Sequence, residues 1–266
     1  MKLYKGDCLD VLPTLADESI DLILTDPPYG TTACKWDSVI PFEPMWKELK
    51  RIIKDNGCIA LFGSEPFSSH LRLSNLDWFK YDWIWNKKKP SNVFLAKKQP
   101  LKNIELISIF YKHQPTYNPQ PTIKSTGKGF SQKNHNRFHK DKTKGVAKVI
   151  DNRNTTNIGY PKVLLEHIKV MNNLSKDKSG LHPTQKPIEL CEYLIKTYTN
   201  ENDTVLDFTM GSGSTGVAAK NLNREFIGIE LDKKYFEIAT NRINENYNTL
   251  YTKEATSLYP RTDRKV

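Results

Sequence analysis

Long apolar runs and closely spaced cysteines are both missing from this chain of 266 residues. No stretch approaches the roughly 20 apolar residues of a membrane span, so we expect no membrane-spanning segment. The first residues do not resemble a signal peptide. The four cysteines are far apart and form no Cys-x-x-Cys pair (Cys8, Cys34, Cys58 and Cys191). This spacing argues against a zinc site or a disulfide framework, and for reduced thiols in a cytoplasm.

Acidic residues are fewer than basic ones in this chain. Lys and Arg number 40 against 30 Asp and Glu, which gives a net charge of +10 and a pI near 9.2. Residues 112–165 account for nearly all of this excess, because they hold eleven Lys and Arg but only two Asp. Aromatic side chains are interleaved with these charges (Tyr117, Phe130, Phe138 and Tyr160). The pattern is typical of a nucleic-acid reader, although a solvated, partly disordered insertion remains the alternative.

Histidines offer no metal site by spacing. His135 and His139 are four residues apart, but no third ligand candidate is evident. We therefore predict a surface or phosphate-contacting role for them and no bound metal.

Short apolar segments alternate with helical patterns along the rest of the chain, which favours a doubly wound α/β domain with a mostly parallel sheet. We predict strands over 2–7, 20–25, 58–63, 81–85, 105–111, 204–208 and 226–229. We predict helices over 41–55, 67–76, 163–170 and 188–199, and a last one capped by Asp232. The basic stretch 86–94 has no clean period and is predicted to be a loop.

The stretch Thr25–Gly30 reads Thr-Asp-Pro-Pro-Tyr-Gly and follows a predicted buried strand. Asp26 therefore lies at the carboxyl end of a strand, where open α/β sheets bind ligands. Pro27 and Pro28 fix φ and lack an N–H, which leaves rigid carbonyl acceptors nearby. Together with the ring of Tyr29, this set suits a planar base that carries an exocyclic amine. A strand that simply ends in a proline turn is the alternative.

A second motif, G-x-G-x-x-G, is formed by Gly211, Gly213 and Gly216 directly after the predicted strand 204–208. Glu230 ends the next strand, 19 residues after Gly211. The glycines let the backbone approach a ligand, and the carboxylate can accept hydrogen bonds from ribose hydroxyls. This order predicts an adenosine-containing cofactor, either a dinucleotide or S-adenosylmethionine.

The first motif favours S-adenosylmethionine over a dinucleotide, because methylation of an amine needs a rigid pair of acceptors and hydride transfer does not. The lone pair of an exocyclic amine is delocalised into its ring, which makes the nitrogen a poor nucleophile. Hydrogen bonds to the Asp26 carboxylate and the Pro27 carbonyl would make it more tetrahedral and favour the positive charge of a methyl transfer. The reaction needs in-line placement, so a stacked base must flip out, and Tyr29 would stack on it.

Four segments, in this order, resemble the permuted (beta-type) DNA amino-methyltransferases of the N6-adenine/N4-cytosine family. They are Asp26–Tyr29, His182–Pro187, Val205–Gly213 and Ile229–Glu230, and they span most of the chain. The resemblance implies a Rossmann-like methyltransferase fold with circularly permuted motifs and S-adenosylmethionine as cofactor. Because the order is permuted, we expect the strands over 20–25 and 204–208 to lie side by side at the topological switch point. It also implies site-specific methylation of duplex DNA, as in restriction–modification, with the basic insertion as target-recognition region. Asp rather than Ser at position 26 resembles the adenine-N6 subgroup.

The resemblance also assigns roles to residues. The catalytic set is Asp26, Pro27, Pro28 and Tyr29. The cofactor set places Asp7 and Cys8 at the adenine, Lys186 at the methionine end and Glu230 at the ribose, together with Asp207, Phe208, Gly211, Ser212 and Gly213. One departure is that the family often has Asp-Pro-Phe where this chain has Asp207-Phe208-Thr209. Three of these roles have an alternative that involves no cofactor. Asp207 could only orient its turn, Asp7 could be a surface turn residue, and Lys186 could be a solvated loop lysine.

The expected organisation has four parts: a catalytic half (1–111), the basic insertion (112–165), a cofactor-binding half (166–252) and a polar tail (253–266). Related enzymes suggest a homodimer and a cognate restriction endonuclease in a bacterial or phage-like cytoplasm, but no residue marks either partner. Methylation of cytosine N4 is the nearest alternative activity. A dinucleotide-dependent oxidoreductase and a non-catalytic DNA-binding protein are more distant ones.

Overall fold

A computed structural model describes residues 1–31, 37–123, 158–166, 168 and 185–244. The strands are β1 (Lys2–Lys5), β2 (Ile20–Thr25), β3 (Ile53–Gly63), β4 (Phe79–Ser91), β5 (Lys102–Phe110), β6 (Thr122–Ile123), β7 (Ile158–Gly159), β8 (Leu164–Leu165), β9 (Thr204–Asp207) and β10 (Glu225–Glu230). The α-helices are α1 (Cys8–Val11), α2 (Phe42–Ile52), α3 (Phe67–Leu73), α4 (Ile188–Tyr198), α5 (Ser214–Asn221) and α6 (Lys233–Asn244). Short 3₁₀ turns span Leu12–Thr14 and Val93–Leu95.

The described strands form a large sheet in the order β1-β10-β9-β2-β3-β5-β4-β8. The pairs from β1 to β3 are parallel, β5 runs antiparallel to both β3 and β4, and β8 is parallel to β4. β2 and β9 are neighbours, with Leu22 opposite Val205 and Ile23 opposite Leu206. The predicted mostly parallel α/β sheet is confirmed, and so is the side-by-side placement of these two strands.

Helices cover both faces of the sheet, which is why the central strands are apolar throughout. Ile23 packs in one core layer with Leu49 of α2. Leu22, whose side chain faces the opposite way, packs in the other layer with Leu194 of α4 and Val217 of α5. Complete burial of each such side chain contributes roughly 1.5–3 kcal/mol. These two layers hold the ends of β2 and β9 in one rigid arrangement.

The basic stretch after Trp85 differs from its prediction as a loop. β4 continues to Ser91, because β5 also begins early and lies opposite it. Asn86 pairs with Ile104, and Ser91 pairs with Lys102. Backbone pairing across a hairpin therefore extends both strands through a segment whose side chains show no strand pattern.

Two further elements differ from expectation. The helix predicted over 163–170 is wrong where the chain is described, because Leu164 and Leu165 form β8 alongside β4. The short helix α1 was not predicted, although Asp7 caps it by accepting the N–H of Leu9 at 2.8 Å. Four residues are too few to show a helical period.

The chain divides into two compact units, Met1–Asn118 with Val163–Val266, and Pro119–Lys162. In the second unit, β6 and β7 pair antiparallel, with Thr122 opposite Gly159. Most of the basic insertion and the polar tail lie outside the described residues, so their predicted boundaries stay predictions.

Candidate active site

A cavity of about 750 Å³ opens at the carboxyl edge of the sheet, within the first unit. The chain leaves β9 toward β10 and leaves β2 toward β3, in opposite directions across the sheet. Such a reversal between neighbouring strands is where open α/β sheets bind ligands. All of the predicted site residues except Gly213 line this cavity: Asp7, Cys8, Asp26, Pro27, Pro28, Tyr29, Lys186, Asp207, Phe208, Gly211, Ser212 and Glu230. The volume suits a small-molecule site.

Both oxygens of the Asp26 carboxylate are held by side chains. The Tyr29 hydroxyl donates to Oδ1 at 2.5 Å, and the Lys186 ammonium donates to Oδ2 at 2.5 Å. The backbone carbonyl of Asp26 accepts from the Thr209 hydroxyl at 3.1 Å, which ties this turn to the end of β9. Among the described residues, no donor bonds to the Pro27 carbonyl, so that acceptor is available to a ligand.

Lys186 joins two carboxylates rather than facing solvent. Its side chain is only 9% exposed, and its ammonium lies 2.5 Å from Asp26 and 3.3 Å from Glu105. Burial by itself would lower the pKa of Lys186, but Asp26 and Glu105 outweigh it and raise that pKa. The ammonium therefore stays charged at neutral pH. A contact with the methionine end of a cofactor stays a prediction for this residue.

Glu105 of β5 is a cavity residue that the sequence prediction missed. Burial would raise its pKa, but Lys186 and Lys87 hold the pKa of this carboxyl below its usual value. Lys87, from the basic stretch, lies 3.0 Å from the Glu105 carboxylate. The available signal was a single acidic residue between Ile104 and Leu106 in an apolar strand.

The Tyr29 side chain remains a protonated donor. Burial and the nearby carboxylates of Asp26 and Glu105 raise its pKa well above the usual value. Its ring packs on Phe67 at the start of α3, with centroids 5.0 Å apart and 29° between the planes. The hydroxyl and the ring are thus both fixed, one by Asp26 and the other by Phe67.

Asp37 holds the backbone that follows the two prolines, and it too was missed. Its buried carboxylate accepts the N–H groups of Tyr29 at 2.8 Å, Gly30 at 2.9 Å and Thr31 at 2.9 Å. Three successive N–H groups on one carboxylate fix the shape of this turn. The sequence showed Asp37 only as the end of a polar loop, whose residues 32–36 lie outside the described part.

The two leading glycines of the second motif have different surroundings. Gly211 has φ +52°, and a Cβ built there would meet no atom within 4 Å, so its backbone borders open space in the cavity. Gly213 has φ +81°, but its added Cβ would lie 3.0 Å from that of Ala239. Gly213 therefore permits α5 to begin close against α6, whereas Gly211 faces the cavity.

Glu230 is anchored by backbone donors at the end of β10. Its carboxylate accepts the N–H of Gly211 at 2.8 Å and that of Asp232 at 2.8 Å. Burial raises the pKa of Glu230, and these two donors oppose the increase. Ser212, also buried, accepts a hydrogen bond from Arg242 at its carbonyl. The glycine turn is thus held from both sides.

Asp207 is a buried carboxyl group at the end of β9. Burial raises its pKa to about 7, against hydrogen bonds from Thr215, Thr25 and the Thr209 N–H. No Lys or Arg forms an ion pair with Asp207 among the described residues. The next side chain, Phe208, is only 1% exposed and belongs to a core layer, while its N–H donates to the Thr25 hydroxyl at 3.1 Å.

Asp7 and Cys8 line the cavity at the start of α1. The Asp7 side chain is exposed, and its carboxylate caps this helix by accepting the N–H of Leu9. A contact with the adenine of a cofactor stays a prediction for this residue. Burial raises the pKa of the Cys8 thiol to about 12, with Asp7 adding to the effect. A thiol with this pKa is not a nucleophile at neutral pH.

Several predicted features fall outside the described residues, including His135, His139 and the segment 181–184. Within the described part, no group of three His, Cys, Asp or Glu side chains is placed to hold a metal ion. None of the described helices combines the length and apolarity needed to cross a membrane.

The fold has solved counterparts among DNA methyltransferases. The crystal structure of the M1.HpyAVI–SAM complex has a TM-score of 0.60 and 28% identity, covering 92% of this chain and 99% of that one. The PvuII DNA methyltransferase (cytosine-N4-specific) has a TM-score of 0.64, covering 92% and 86%. At 17% identity, the second match supports the fold alone.

Sequence comparison then identifies the family. The family model described as DNA methylase, of the N6/N4 group, matches residues 20–241. The type II methyltransferase M.HinfI of Haemophilus influenzae is 30% identical, covering 91% of this chain and 68% of that protein. The type II methyltransferase M.HpaI of Haemophilus parainfluenzae is 28% identical over 93% and 75%.

The chain therefore belongs to the N6/N4 family of DNA methylases, which are S-adenosylmethionine-dependent methyltransferases. The predicted family, fold class and cofactor are confirmed. The oxidoreductase alternative does not survive this result.

Proposed function

We propose that this protein transfers a methyl group from S-adenosylmethionine to N6 of an adenine that is flipped out of duplex DNA at a short, specific sequence. The observation that carries the proposal is that one cavity brings together the Asp26 turn and the Gly211 turn. The first supplies acceptors for an amine, and the second supplies space and carboxylates for an adenosine-containing donor.

The glycine side of the cavity fits the cofactor. The open space beside Gly211 is a cradle that any Cβ would begin to fill. Glu230 has further lone pairs that would accept ribose hydroxyls. The buried Asp207 carboxyl group lacks an ion-pair partner among the described residues, and a cationic part of the cofactor would supply one. These three features are geometric and electrostatic properties of the residues that the sequence motif pointed to.

The Asp26 side fits an exocyclic amine. When bound, S-adenosylmethionine supplies an electrophilic methyl group. The Asp26 carboxylate and the Pro27 carbonyl would each accept one N–H of the amine, which localises the nitrogen lone pair. Lys186 and Tyr29 hold the Asp26 oxygens at a fixed position, so little reorganisation is needed as positive charge develops on the nitrogen. Because the Asp26 carboxylate would already accept an N–H of that amine, it would also accept the proton that the nitrogen releases.

The residue at position 26 favours adenine over cytosine as the target base. An Asp precedes Pro-Pro-Tyr here, and this resembles the adenine-N6 subgroup, whereas a Ser would resemble the cytosine-N4 subgroup. The target base must leave its stack to reach the cavity. The Tyr29 ring, supported from one side by Phe67, would offer its other face for stacking on the extruded base.

Duplex DNA as substrate agrees with the charge distribution. Residues 112–165 carry an excess of nine positive charges and are proposed as the main target-recognition region. The homodimer and the cognate restriction endonuclease stay predictions.

Mass spectrometry of nucleosides from DNA incubated with purified protein and S-adenosylmethionine tests the proposal. We expect N6-methyladenine to appear, and Asp26→Ala protein to yield none above background. N4-methylcytosine instead would assign the alternative base. Salt-sensitive DNA binding without any methylated nucleoside would indicate a non-catalytic DNA-binding protein.

A further inference from the structure

The hairpin between β4 and β5 has an unusual composition. Residues 86–104, here called the lysine hairpin, contain no Asp or Glu but six lysines (Lys87, Lys88, Lys89, Lys97, Lys98 and Lys102). Lys87 is engaged with Glu105, and Lys102 donates to the Glu65 carbonyl at 3.3 Å. Lys88, Lys97 and Lys98 are exposed on the surface. The hairpin thus forms a second basic region, separate in sequence from the insertion.

The tip of the lysine hairpin is apolar. Val93 is 59% exposed, Leu95 is 39% exposed, and the Phe94 side chain is fully exposed at 100%. A phenylalanine with no burial at all is uncommon, because exposure of such a ring forgoes a large favourable transfer free energy. An isolated exposed aromatic would need no explanation, but this one lies among exposed lysines at the end of a projecting element.

The tip is also locally ordered. Asn92 has φ +58°, and its side chain accepts the Lys102 N–H at 2.7 Å, which closes the loop. The 3₁₀ turn Val93–Leu95 follows, and the Leu95 N–H bonds to the Asn92 carbonyl at 2.8 Å. The backbone that presents Phe94 is therefore a defined turn.

The hairpin projects from the edge of the sheet that holds the cavity. β3 runs parallel to β2, so its last residue, Gly63, lies at the carboxyl edge with Asp26. β5 is antiparallel to β3, and Leu106 pairs with Gly63, so the start of β5 lies at that same edge. Glu105 lines the cavity, and Lys102 is three residues further out, roughly 10 Å at the rise of a strand.

We propose that the lysine hairpin is a second DNA-binding element, which inserts Phe94 into the duplex next to the extruded base while its lysines contact phosphates. This inference rests on the proposed function, because it assumes that a base is flipped into the Asp26 cavity. An apolar wedge between base steps is a general way to unstack a duplex, and flanking cations on phosphates stabilise the opened state.

A second copy of this chain is a poorer fit for the same surface. In a two-fold symmetric dimer the contact would place each lysine hairpin against the same patch of its partner. The exposed Lys88, Lys97 and Lys98 would then face the same three lysines of the partner, and like charges opposed in this way disfavour association. A polyanion is the partner that this charge favours.

The decisive experiment compares Phe94→Ala with wild type on two unmethylated duplexes that contain the sequence the enzyme recognises. In one, the target adenine is paired; in the other, it lies opposite an abasic position and is already unpaired. We expect kcat/KM of Phe94→Ala to fall about 20-fold on the paired duplex, within the range for loss of one base–aromatic stack, and less than about twofold on the unpaired one. Phe94→Trp should keep most of the wild-type rate on both.

Leu73→Ala is the matched control, since Leu73 is a large apolar residue, 70% exposed, on α3. It should change neither rate. Equal rates for Phe94→Ala and wild type on the paired duplex, or an equal loss on both duplexes, would overturn the inference while the wild type still methylates DNA. A wild-type protein that methylates neither duplex would instead count against the proposed function.

The lysines are tested separately by the salt dependence of DNA binding. The double variant Lys97→Ala/Lys98→Ala should reduce the slope of log K against log salt by about 2, one for each lost phosphate contact. Lys50→Ala/Lys80→Ala is the control pair, because both are exposed lysines near the opposite edge of the sheet. Identical slopes in the two double variants would contradict phosphate contacts by the hairpin.

Discussion

The carboxylates on the two sides of the cavity have different surroundings. We call the side formed by Asp26–Tyr29 the β2 wall, and the side formed by Asp207, Gly211 and Glu230 the glycine wall. On the β2 wall, Asp26 is paired with an ammonium and a phenol, Lys186 and Tyr29. On the glycine wall, Asp207 and Glu230 are held by backbone N–H groups and hydroxyls, with no Lys or Arg paired to either in the described part of the chain. The carboxylate on the β2 wall is thus paired with a cation of the protein, whereas those on the glycine wall have hydrogen-bond donors but no paired cation among the described residues.

This difference indicates what each wall binds. A buried carboxylate without a cation is costly, and the raised pKa of Asp207, about 7, reflects that cost. A cationic ligand removes it, and the proposed methyl donor carries positive charge. The amine of a base is neutral, so the wall that receives it has no need of an uncompensated charge. In the proposed function, the glycine wall would therefore bind the cationic donor, and the β2 wall would bind the neutral acceptor.

The largest expected effect comes from Asp26→Ala on the β2 wall. We expect methyl transfer to fall about 10³-fold, because an acceptor aimed at charge that develops in the transition state is lost. The dissociation constant for S-adenosylmethionine should change less than about threefold. Transfer of labelled methyl groups and isothermal titration measure the two quantities. Asp21→Ala, at the other end of β2, is the control, and loss of cofactor binding in Asp26→Ala would contradict the assignment.

Asp207→Asn tests the glycine wall. We expect the dissociation constant for S-adenosylmethionine to rise about 30-fold, equivalent to about 2 kcal/mol for a charge-assisted contact. The transfer rate at saturating cofactor should change little. Asp21→Asn is the matched control, since Asp21 also accepts a backbone N–H, from Thr204 at 2.9 Å, but lies far from the cavity. An unchanged affinity in Asp207→Asn would show that Asp207 only orients its turn.

Cofactor affinity should also depend on pH. A carboxyl group with a pKa of about 7 must lose its proton before it can hold a cation, so affinity rises as pH rises. We expect the dissociation constant to increase about tenfold from pH 8 to pH 6 in titrations of the wild type. The same slope in Asp207→Asn would assign the pH dependence to another group.

The smallest effect is expected for Glu105→Gln, which removes one of the two charges facing Lys186. Lys186 keeps its contact with Asp26, so we expect kcat to fall about threefold with an unchanged KM for DNA, since only the placement of Asp26 is loosened. Glu48→Gln is the control, because Glu48 is similarly buried, at 12% exposure, and paired with Arg51 away from the cavity. A change in KM alone would indicate that Glu105 contacts DNA instead.

Most of the cavity could be predicted from the sequence because its parts directly follow parallel strands. Asp26 follows β2, Asp207 ends β9 and Glu230 ends β10, and the carboxyl ends of parallel strands share one edge. Glu105 could not be predicted in this way, since it lies near the beginning of β5. Only the antiparallel pairing of β5 with β3 brings that end to the cavity, and the direction of pairing is not visible in a single strand.

The glycine motif shows the same limit. Its spacing predicts a turn that approaches a ligand, and Gly211 does border the cavity. Gly213 has the same residue type and a positive φ, yet its close neighbour is Ala239 of α6. Which glycine meets a ligand and which permits helix packing depends on an element that comes later in the chain.

By itself, the sequence determined the family, the α/β class and the two motifs that meet at one edge of the sheet, because strand periodicity and motif spacing are local properties of the chain. Only the tertiary structure decided which carboxylate is paired with a cation and which has a raised pKa. Lys186 reaches Asp26 across 160 positions of sequence, and burial raises the pKa of Asp207, because ion pairing and desolvation depend on what the fold places within a few ångströms.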